Sequence, residues 1–313
     1  MFQETVNNIA YSATSLLSLS VGVFFLYIII TKSPSSIRTY RNNLLNLTVW
    51  YLITTVVFGF LLQPIIELHD STICGKPVGL ASYLHNNVVY ASMLGSAICA
   101  ANVVCALWLG FLTKYFQLAH PKLSVWLHST YGTVATVGWH ALASGVAGMG
   151  ASMYTFQGNI VVNDKVLFCF PVDPSPIIML CLCAIAIVCM CIFTILSIRV
   201  LRAERLALTT KTYRLQMLLT LNLIILTVLP VVFEIGPLML ACIALYFKLS
   251  FANAIFSIAT HLPFIEIVLS WAVTLGFVTP YRKAVKKMLG MKSSSCTRVS
   301  VLRHYVNSIQ QQS

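Results

Sequence analysis

The run Asn253-Ala-Ile-Phe-Ser-Ile-Ala-Thr-His-Leu-Pro-Phe-Ile-Glu-Ile-Val-Leu-Ser-Trp-Ala-Val-Thr-Leu-Gly-Phe-Val278 is followed, after Thr279-Pro280, by Tyr281-Arg-Lys-Ala-Val-Lys-Lys-Met-Leu289. The first part has the length of a membrane-spanning helix, which needs about 20 mostly apolar residues. The second part changes character at once. Tyr281, Ala284, Val285, Met288 and Leu289 recur at helical spacing, and Arg282, Lys283, Lys286 and Lys287 take the opposite face. An ordinary solvated charge run is the competing reading. The clean segregation of faces favours an amphipathic helix lying on anionic head groups of the inner leaflet. The chain therefore crosses a bilayer here, and the crossing ends on the cytoplasmic side.

The composition extends this to the whole chain. Its 313 residues are 58% hydrophobic and 9% charged, against about 45–50% apolar and about 25% charged in soluble domains. So few charges cannot cover a water-soluble protein of this size, and disorder, coiled coil and collagen are excluded with it. Six further apolar stretches qualify as spans: about Ile9 to Thr31, Leu44 to Ile66, His85 to Thr113, Leu127 to Gly150, Ile177 to Ile198 and Leu215 to Ile235. Pro237 to Tyr246 is too short to cross and reads as a helical extension or a lid. No Lys or Arg precedes the first run, which is too long for a signal-peptide core, so it reads as a retained span.

Seventeen of the 20 basic residues fall in one set of loops and the tail, and only Lys76, Lys165 and Lys248 in the other. Glu4, Glu67, Asp70, Asp164, Asp173 and Glu234 fall on the basic-poor side, and Glu204 on the basic-rich side. Cytoplasmic loops carry the excess of Lys and Arg, so the N-terminus is expected outside and the C-terminus in the cytoplasm. The expected organisation is an all-α seven-helix membrane bundle: residues 1–8 outside, 9–278 the bundle, 279–290 the interfacial helix and 291–313 a disordered cytoplasmic tail. The net charge of +12 belongs to membrane edges, not to a nucleic-acid groove.

Polar groups at membrane depth are expensive and therefore informative. Glu266, near the middle of the seventh span, needs a partner, a water cavity or a proton. It reads either as a ligand contact or switch element, or as an interhelical hydrogen bond that fixes packing. Packing is the favoured reading for Asn102, His140 and Asn222. Asn86, Asn87 and Tyr90 gather polar and aromatic groups at the outer end of the third span, as a small-molecule site would and as a wet helix end would. With His261, Glu234 and Glu266 they are the ligand-binding candidates. Pro64, Pro230 and Pro263 are candidate kinks.

Cys74 and Cys169 lie in the first and second outer loops, in an oxidising compartment where a bridge can persist; two free thiols are the alternative. Most other cysteines sit in apolar segments as small hydrophobes, and no zinc-type grouping appears, so no metal or cofactor is expected. Cys296 offers an acylation site by its position alone. The sequon Asn46-Leu47-Thr48 lies at the inner end of the second span and is expected to stay unglycosylated.

Ser33-Pro34-Ser-Ser-Ile-Arg-Thr-Tyr40 leads into Leu44-Leu-Asn46-Leu47 and Trp50. Together with Asn253-x-x-Phe256, His261, Pro280-Tyr281-Arg282 and Pro230, this resembles nematode serpentine chemoreceptors of the Srh and Sri classes, within the Str superfamily. The resemblance covers roughly residues 30 to 290. Lys114-Tyr115-Phe116 ends the third span, with Lys where many members of the family carry Arg. No Asp/Glu-Arg-Tyr or Asn-Pro-x-x-Tyr is present, so the rhodopsin-like switches cannot be carried over. The resemblance implies a G-protein-coupled receptor for a small environmental chemical, an odorant or soluble metabolite, in the plasma membrane of a sensory neuron, at its cilium, with a heterotrimeric G protein as partner. Lys114, Tyr115, Arg199, Arg202, Arg205, Lys211 and Arg214 are the candidate G-protein contacts. A small-solute transporter or channel is the alternative, disfavoured by an odd span count without obvious duplication. An intramembrane enzyme would need companions that His261 and Glu266, five residues apart, do not have.

Overall fold

In the computed structural model the described residues are 2–34, 37–69, 72–127, 129–157, 159–162, 165–171, 175–203, 209–247, 249 and 251–290; at some positions, mostly within 66–73 and 153–184, only the backbone is described. Helices dominate. They are α1 (Phe2–Lys32), α2 (Arg38–Val56), α3 (Asn86–Ala119), α4 (Pro121–Leu127), α5 (Thr130–Gln157), α6 (Ser175–Ala203), α7 (Thr210–Pro230), α8 (Gly236–Tyr246), α9 (Ala252–Phe277) and α10 (Thr279–Met288). Among the described residues, five stretches are long and apolar enough to cross a membrane: Val6–Lys32, Arg38–Leu62, Asn86–Ala119, Thr212–Ala241 and Ala254–Phe277. The other expected spans are also helical, α5 with 28 residues and α6 with 29. Gly, Ala, Ser and Thr dilute the hydropathy of α5, and the first turns of α6 are described by backbone alone.

The helix boundaries follow local chemistry. His85 caps α3, its Nδ1 accepting from the Asn87 N–H at 3.3 Å. Thr209 caps α7 by accepting from the Thr212 N–H at 3.3 Å. α2 runs on through a π turn, Val57–Leu62, and stops at Gln63, whose φ of 43° is left-handed. The Gln63 amide donates back to the Gly59 carbonyl at 2.9 Å, satisfying one of the last carbonyls of the helix. Pro64, expected to kink the second span, lies beyond that stop and opens a strand instead. Pro230 does mark a break: α7 passes into a second π turn, Val231–Ile235, and then into α8. The run Pro237 to Tyr246 is therefore the helical extension the sequence allowed. Pro263 lies inside α9.

The all-α bundle also carries one small sheet that the sequence reading did not anticipate. β1 (Pro64–His69), β2 (Thr72–Pro77), β3 (Asn159–Val162) and β4 (Lys165–Pro171) form an antiparallel sheet in the order β1-β2-β4-β3. It joins the segment before α3 to the segment before α6. Strands of four to seven residues escape a reading built on windows of about 20 residues.

α3 is the central helix, touching α2, α5, α6 and α7, while α1 packs on α2 and α9. The core runs from Phe25, Ile28 and Ile29 of α1 through Tyr40, Leu44 and Tyr51 to Phe111, Leu226, Ile267 and Trp271. α1 meets both α9 and the end of α2 without room for more atoms: a Cβ on Gly22 would stand 2.4 Å from the Trp271 ring of α9, and one on Gly59, in the π turn after α2, 2.1 Å from Ser15 Oγ. α10 is fastened by Tyr281, which is fully buried and shares a 2.8 Å hydrogen bond with Ser33 at the end of α1. Burial pushes the Tyr281 hydroxyl above its ordinary pKa, against the opposing pulls of Ser33 and the Arg41 charge. It therefore stays protonated and able to donate. Arg282, Lys283, Lys286 and Lys287 are exposed beside it.

Candidate functional site

The six ligand candidates occupy different environments. Asn86 and Asn87 are exposed in the first turn of α3. One turn further, Tyr90 is half-buried against a small apolar cluster with Ala81 and Val89 at its centre. On α9, His261 is half-buried and stacks on Tyr11 of α1, with ring centroids 4.0 Å apart. His261 Nδ1 faces the Ser257 carbonyl at 2.7 Å, so Nδ1 carries the proton. Its Nε2, buried and without a protein partner, is left as an open acceptor. Glu234 sits half-buried in the π turn after Pro230. None of the six lines the cavity of about 10 Å³ between Tyr40, Leu47, Ala106, Gly110 and Leu226, nor the open groove of about 450 Å³ along Asn8, Ser12 and Leu16 of α1.

Glu266 is the deepest of them, fully buried. Its Oε1 accepts from the Tyr51 hydroxyl at 3.2 Å and from the Ser270 hydroxyl at 2.6 Å. Its Oε2 has no hydrogen-bond partner. The carboxyl thus ties α9 to α2. Sequence reasoning found Glu266 but missed both partners. Ser270 had a signal, being one turn along the same helix. Tyr51 had none, because nothing in a linear sequence pairs positions on different helices.

Asn102 and His140 act as ties, in keeping with the packing reading. His140 Nδ1 lies 2.6 Å from Asn102 Oδ1, and His140 Nε2 lies 2.9 Å from Asn46 Nδ2. One neutral tautomer serves both contacts: Asn46 donates to Nε2, and the Nδ1 proton goes to Asn102. The Asn102 amide donates in turn to Ser144 at 2.8 Å, and Trp50 stacks on the imidazole with centroids 5.4 Å apart. Three helices, α2, α3 and α5, are joined this way. Asn46, the sequon residue, is engaged inside the bundle. Asn222 does similar work for α7, donating to Tyr40 at 2.5 Å and Thr274 at 3.2 Å, with Oδ1 left unpartnered.

At the basic end, Arg199, Arg202 and Arg214 are exposed and Tyr115 is half-buried. Lys114 is not displayed as a surface contact would be. It is 3% exposed, and its ammonium donates to Gln216 of α7. The Lys211 side chain, Arg205, Cys296 and the tail 291–313 lie outside the described residues. At the opposite end, Cys74 of β2 stands directly across from Cys169 of β4 in the strand register. Cys74 is fully buried, and the Cys169 side chain lies outside the described residues.

No curated protein matches the chain. The family described as serpentine type 7TM GPCR chemoreceptor Srh matches it over residues 3–144 and 153–291, which reaches every helix from α1 to α10, with a break inside α5, and takes in all four strands. The family is one of multi-pass membrane receptors rather than enzymes, and membership implies a bundle of seven spans. With central α3, the polar ties between helices and the broken seventh helix of the fold all lying inside the match, the chain belongs to the Srh family of serpentine seven-transmembrane G-protein-coupled chemoreceptors.

Proposed function

We propose that this receptor detects a small environmental molecule, an odorant or soluble metabolite, in the outer half of the bundle and signals to a heterotrimeric G protein at its basic end. The family match carries the reading. The charge distribution supports an outside N-terminus and a cytoplasmic C-terminus, and an epitope placed after Ser313 is expected to stain only permeabilised cells. Asn86, Asn87, Tyr90, Glu234 and His261 contact the ligand. His261 Nε2 supplies a buried acceptor for a ligand hydroxyl or N–H. Glu266 is the switch below them, linking α9 to α2. Ligand must favour one arrangement of the bundle by differential affinity, or no signal results. The G protein then meets Tyr115, Arg199, Arg202, Arg205, Lys211 and Arg214, with Lys114 joining them once it leaves Gln216. The exposed cations of α10 rest on anionic inner-leaflet lipids. The receptor resides in the plasma membrane, at the sensory-neuron cilium.

A calcium-imaging screen of transfected cells with a co-expressed G protein, run against a chemical panel, tests the reading. Solute uptake by proteoliposomes containing the protein alone would replace it with the transporter alternative. With a ligand in hand, Glu266→Gln is expected to shift the half-maximal concentration severalfold, because the amide cannot change protonation state as the carboxyl of a switch can. Surface expression should persist, because glutamine still accepts from Tyr51 and Ser270. An unchanged dose–response curve removes Glu266 from the switch.

We also propose a Cys74–Cys169 disulfide, supported by their cross-strand register. Peptide mapping without reductant should recover the two cysteines in one linked fragment. Cys74→Ser should destabilise the receptor by about 2–5 kcal/mol and lower its surface level. Separate peptides would exclude the bridge.

A further inference from the structure

The turn that joins α1 to α2 and the start of α10 meet at one corner of the basic end, around a single side chain. Tyr281 is fully buried, shares a 2.8 Å hydrogen bond with Ser33, and lies within electrostatic reach of the Arg41 charge on α2. α10 packs on α1 as well as on α9. Basic residues flank this contact on both sides. Lys32 precedes Ser33, Arg38 and Arg41 share the first turn of α2, and Arg282 and Lys286 lie one turn apart on α10. Lys32, Arg38, Arg282 and Lys286 are exposed, and Arg41 is half-buried. At 3.6 residues per turn, Arg282 and Lys286 stand about 100° and about 140° round from Tyr281, beside its buried face, while Lys283 and Lys287 stand farther round.

Nothing in these segments offsets the charge. No Asp or Glu occurs in residues 5–66 or 267–313. Arg41 donates through Nε and Nη2 to the neutral Oδ1 of Asn42, at 3.4 and 3.3 Å. α2 has no acidic residue in its first turn, so the positive end of its dipole adds to the same potential. Membrane topology requires basic residues on the cytoplasmic side. It does not require five of them gathered round one buried tyrosine, where like charges repel unless an anion is present. The anion that suits the corner concentrates several charges in one small group. A monovalent headgroup neutralises one cation. A polyphosphoinositide headgroup presents two or more phosphomonoesters, each carrying about −1.5 to −2, and arginine takes phosphate oxygens two at a time. Clusters of about four to eight Lys and Arg just inside a spanning helix suit such headgroups.

We propose that Lys32, Arg38, Arg41, Arg282 and Lys286 form a binding site for a polyphosphoinositide headgroup of the inner leaflet. The cations of the α1–α2 turn and of α10 hold its phosphates from the two sides of Tyr281, and the bound lipid fastens α10 to the bundle. The proposal rests on the cytoplasmic placement of this end, and narrows the anionic-lipid contact of α10 to one lipid class at one site.

The test is thermal melting of the full-length receptor in nanodiscs of neutral phosphatidylcholine, with equal negative charge added as phosphatidylserine or as a phosphatidylinositol bisphosphate. The bisphosphate discs should melt about 2–4 °C above the serine discs, because a lipid bound only by the folded bundle stabilises it by mass action. Arg41→Gln and Lys32→Gln should each remove most of that difference. Lys32→Gln changes an exposed side chain, so it keeps the test open if Arg41→Gln does not fold. Lys122→Gln makes the same charge change at an exposed position of α4 and should leave the difference intact. Equal melting in the two charged discs would overturn the proposal. The broader anionic-lipid contact would survive that result if both charged discs melt above neutral ones, and would fall with it if neither does. A difference that persists in both Arg41→Gln and Lys32→Gln, or that Lys122→Gln removes as fully, would also overturn the proposal. So would an equal rise produced in neutral discs by soluble inositol trisphosphate, which would make the ligand a free phosphate and not a lipid.

Discussion

Gly59→Val is expected to prevent the receptor from reaching the cell surface. Gly59 lies in the π turn that continues α2, where Ser15 Oγ stands 2.1 Å and a Phe264 ring carbon 2.8 Å from the position of an added Cβ. Ser15 belongs to α1 and Phe264 to α9, both buried. Neither can retreat without separating those helices. Overpacking of this kind costs about 1–3 kcal/mol when side chains can adjust, and more when backbone must move. Valine adds two further carbons to a three-helix contact, so the cost lies at or above the top of that range. Surface biotinylation and the melting temperature of detergent-solubilised protein measure it. Gly138→Val is the control, since nothing lies within 4 Å of its added Cβ, and it should express normally. Equal surface levels for the two variants would contradict the packing described for α1, α2 and α9.

The second large effect is expected at the opposite end of the bundle. α7 is fastened to α3 by Lys114–Gln216 and to α2 and α9 by Asn222 with Tyr40 and Thr274. Beyond Pro230 its regular helix gives way to a π turn, a natural place to bend. Removing only one member of the Lys114–Gln216 pair would leave a buried polar group unpaired and damage folding. Replacing both, as Lys114→Met with Gln216→Leu, removes the fastening while keeping apolar volume. The double variant should fold and should raise ligand-free signalling severalfold, because the state in which α7 stays against α3 loses a contact that the opened state never had. Basal reporter output normalised to surface receptor measures it. Basal output at or below that of the unmodified receptor would mean that Lys114–Gln216 does not restrain signalling.

These outcomes mark what linear sequence can and cannot carry. Membrane spans are legible because each is a local property: the 20-residue apolar windows and their charged flanks lie contiguously along the chain. α10 was legible for the same reason, its two faces alternating within one short run. The sheet was not, because β2 finds β4 across roughly 90 residues, and a pairing at that distance leaves no local period. Site residues divide along the same line. Glu266, Asn102 and His140 announced themselves as polar groups in apolar runs. The Tyr51–Glu266, Tyr40–Asn222 and Lys114–Gln216 pairs depend on which helix faces which. Lys114 shows the difference most sharply: its position at a helix end predicts display, and only packing reveals that it points inward.

The π turns at Val57–Leu62 and Val231–Ile235 have a consequence for how such receptors diversify. A π turn accommodates one residue more than a regular turn, so everything beyond it is rotated by about 100° around the helix axis. On the orientation proposed above, both turns stand between the inner, signalling half of their helix and its outer end. A single-residue insertion or deletion there would re-aim the outer side chains while the inner ones keep their facing. Two lineages could thereby come to recognise different chemicals with the same inner machinery, through a change in helical phase rather than a change of lining residues.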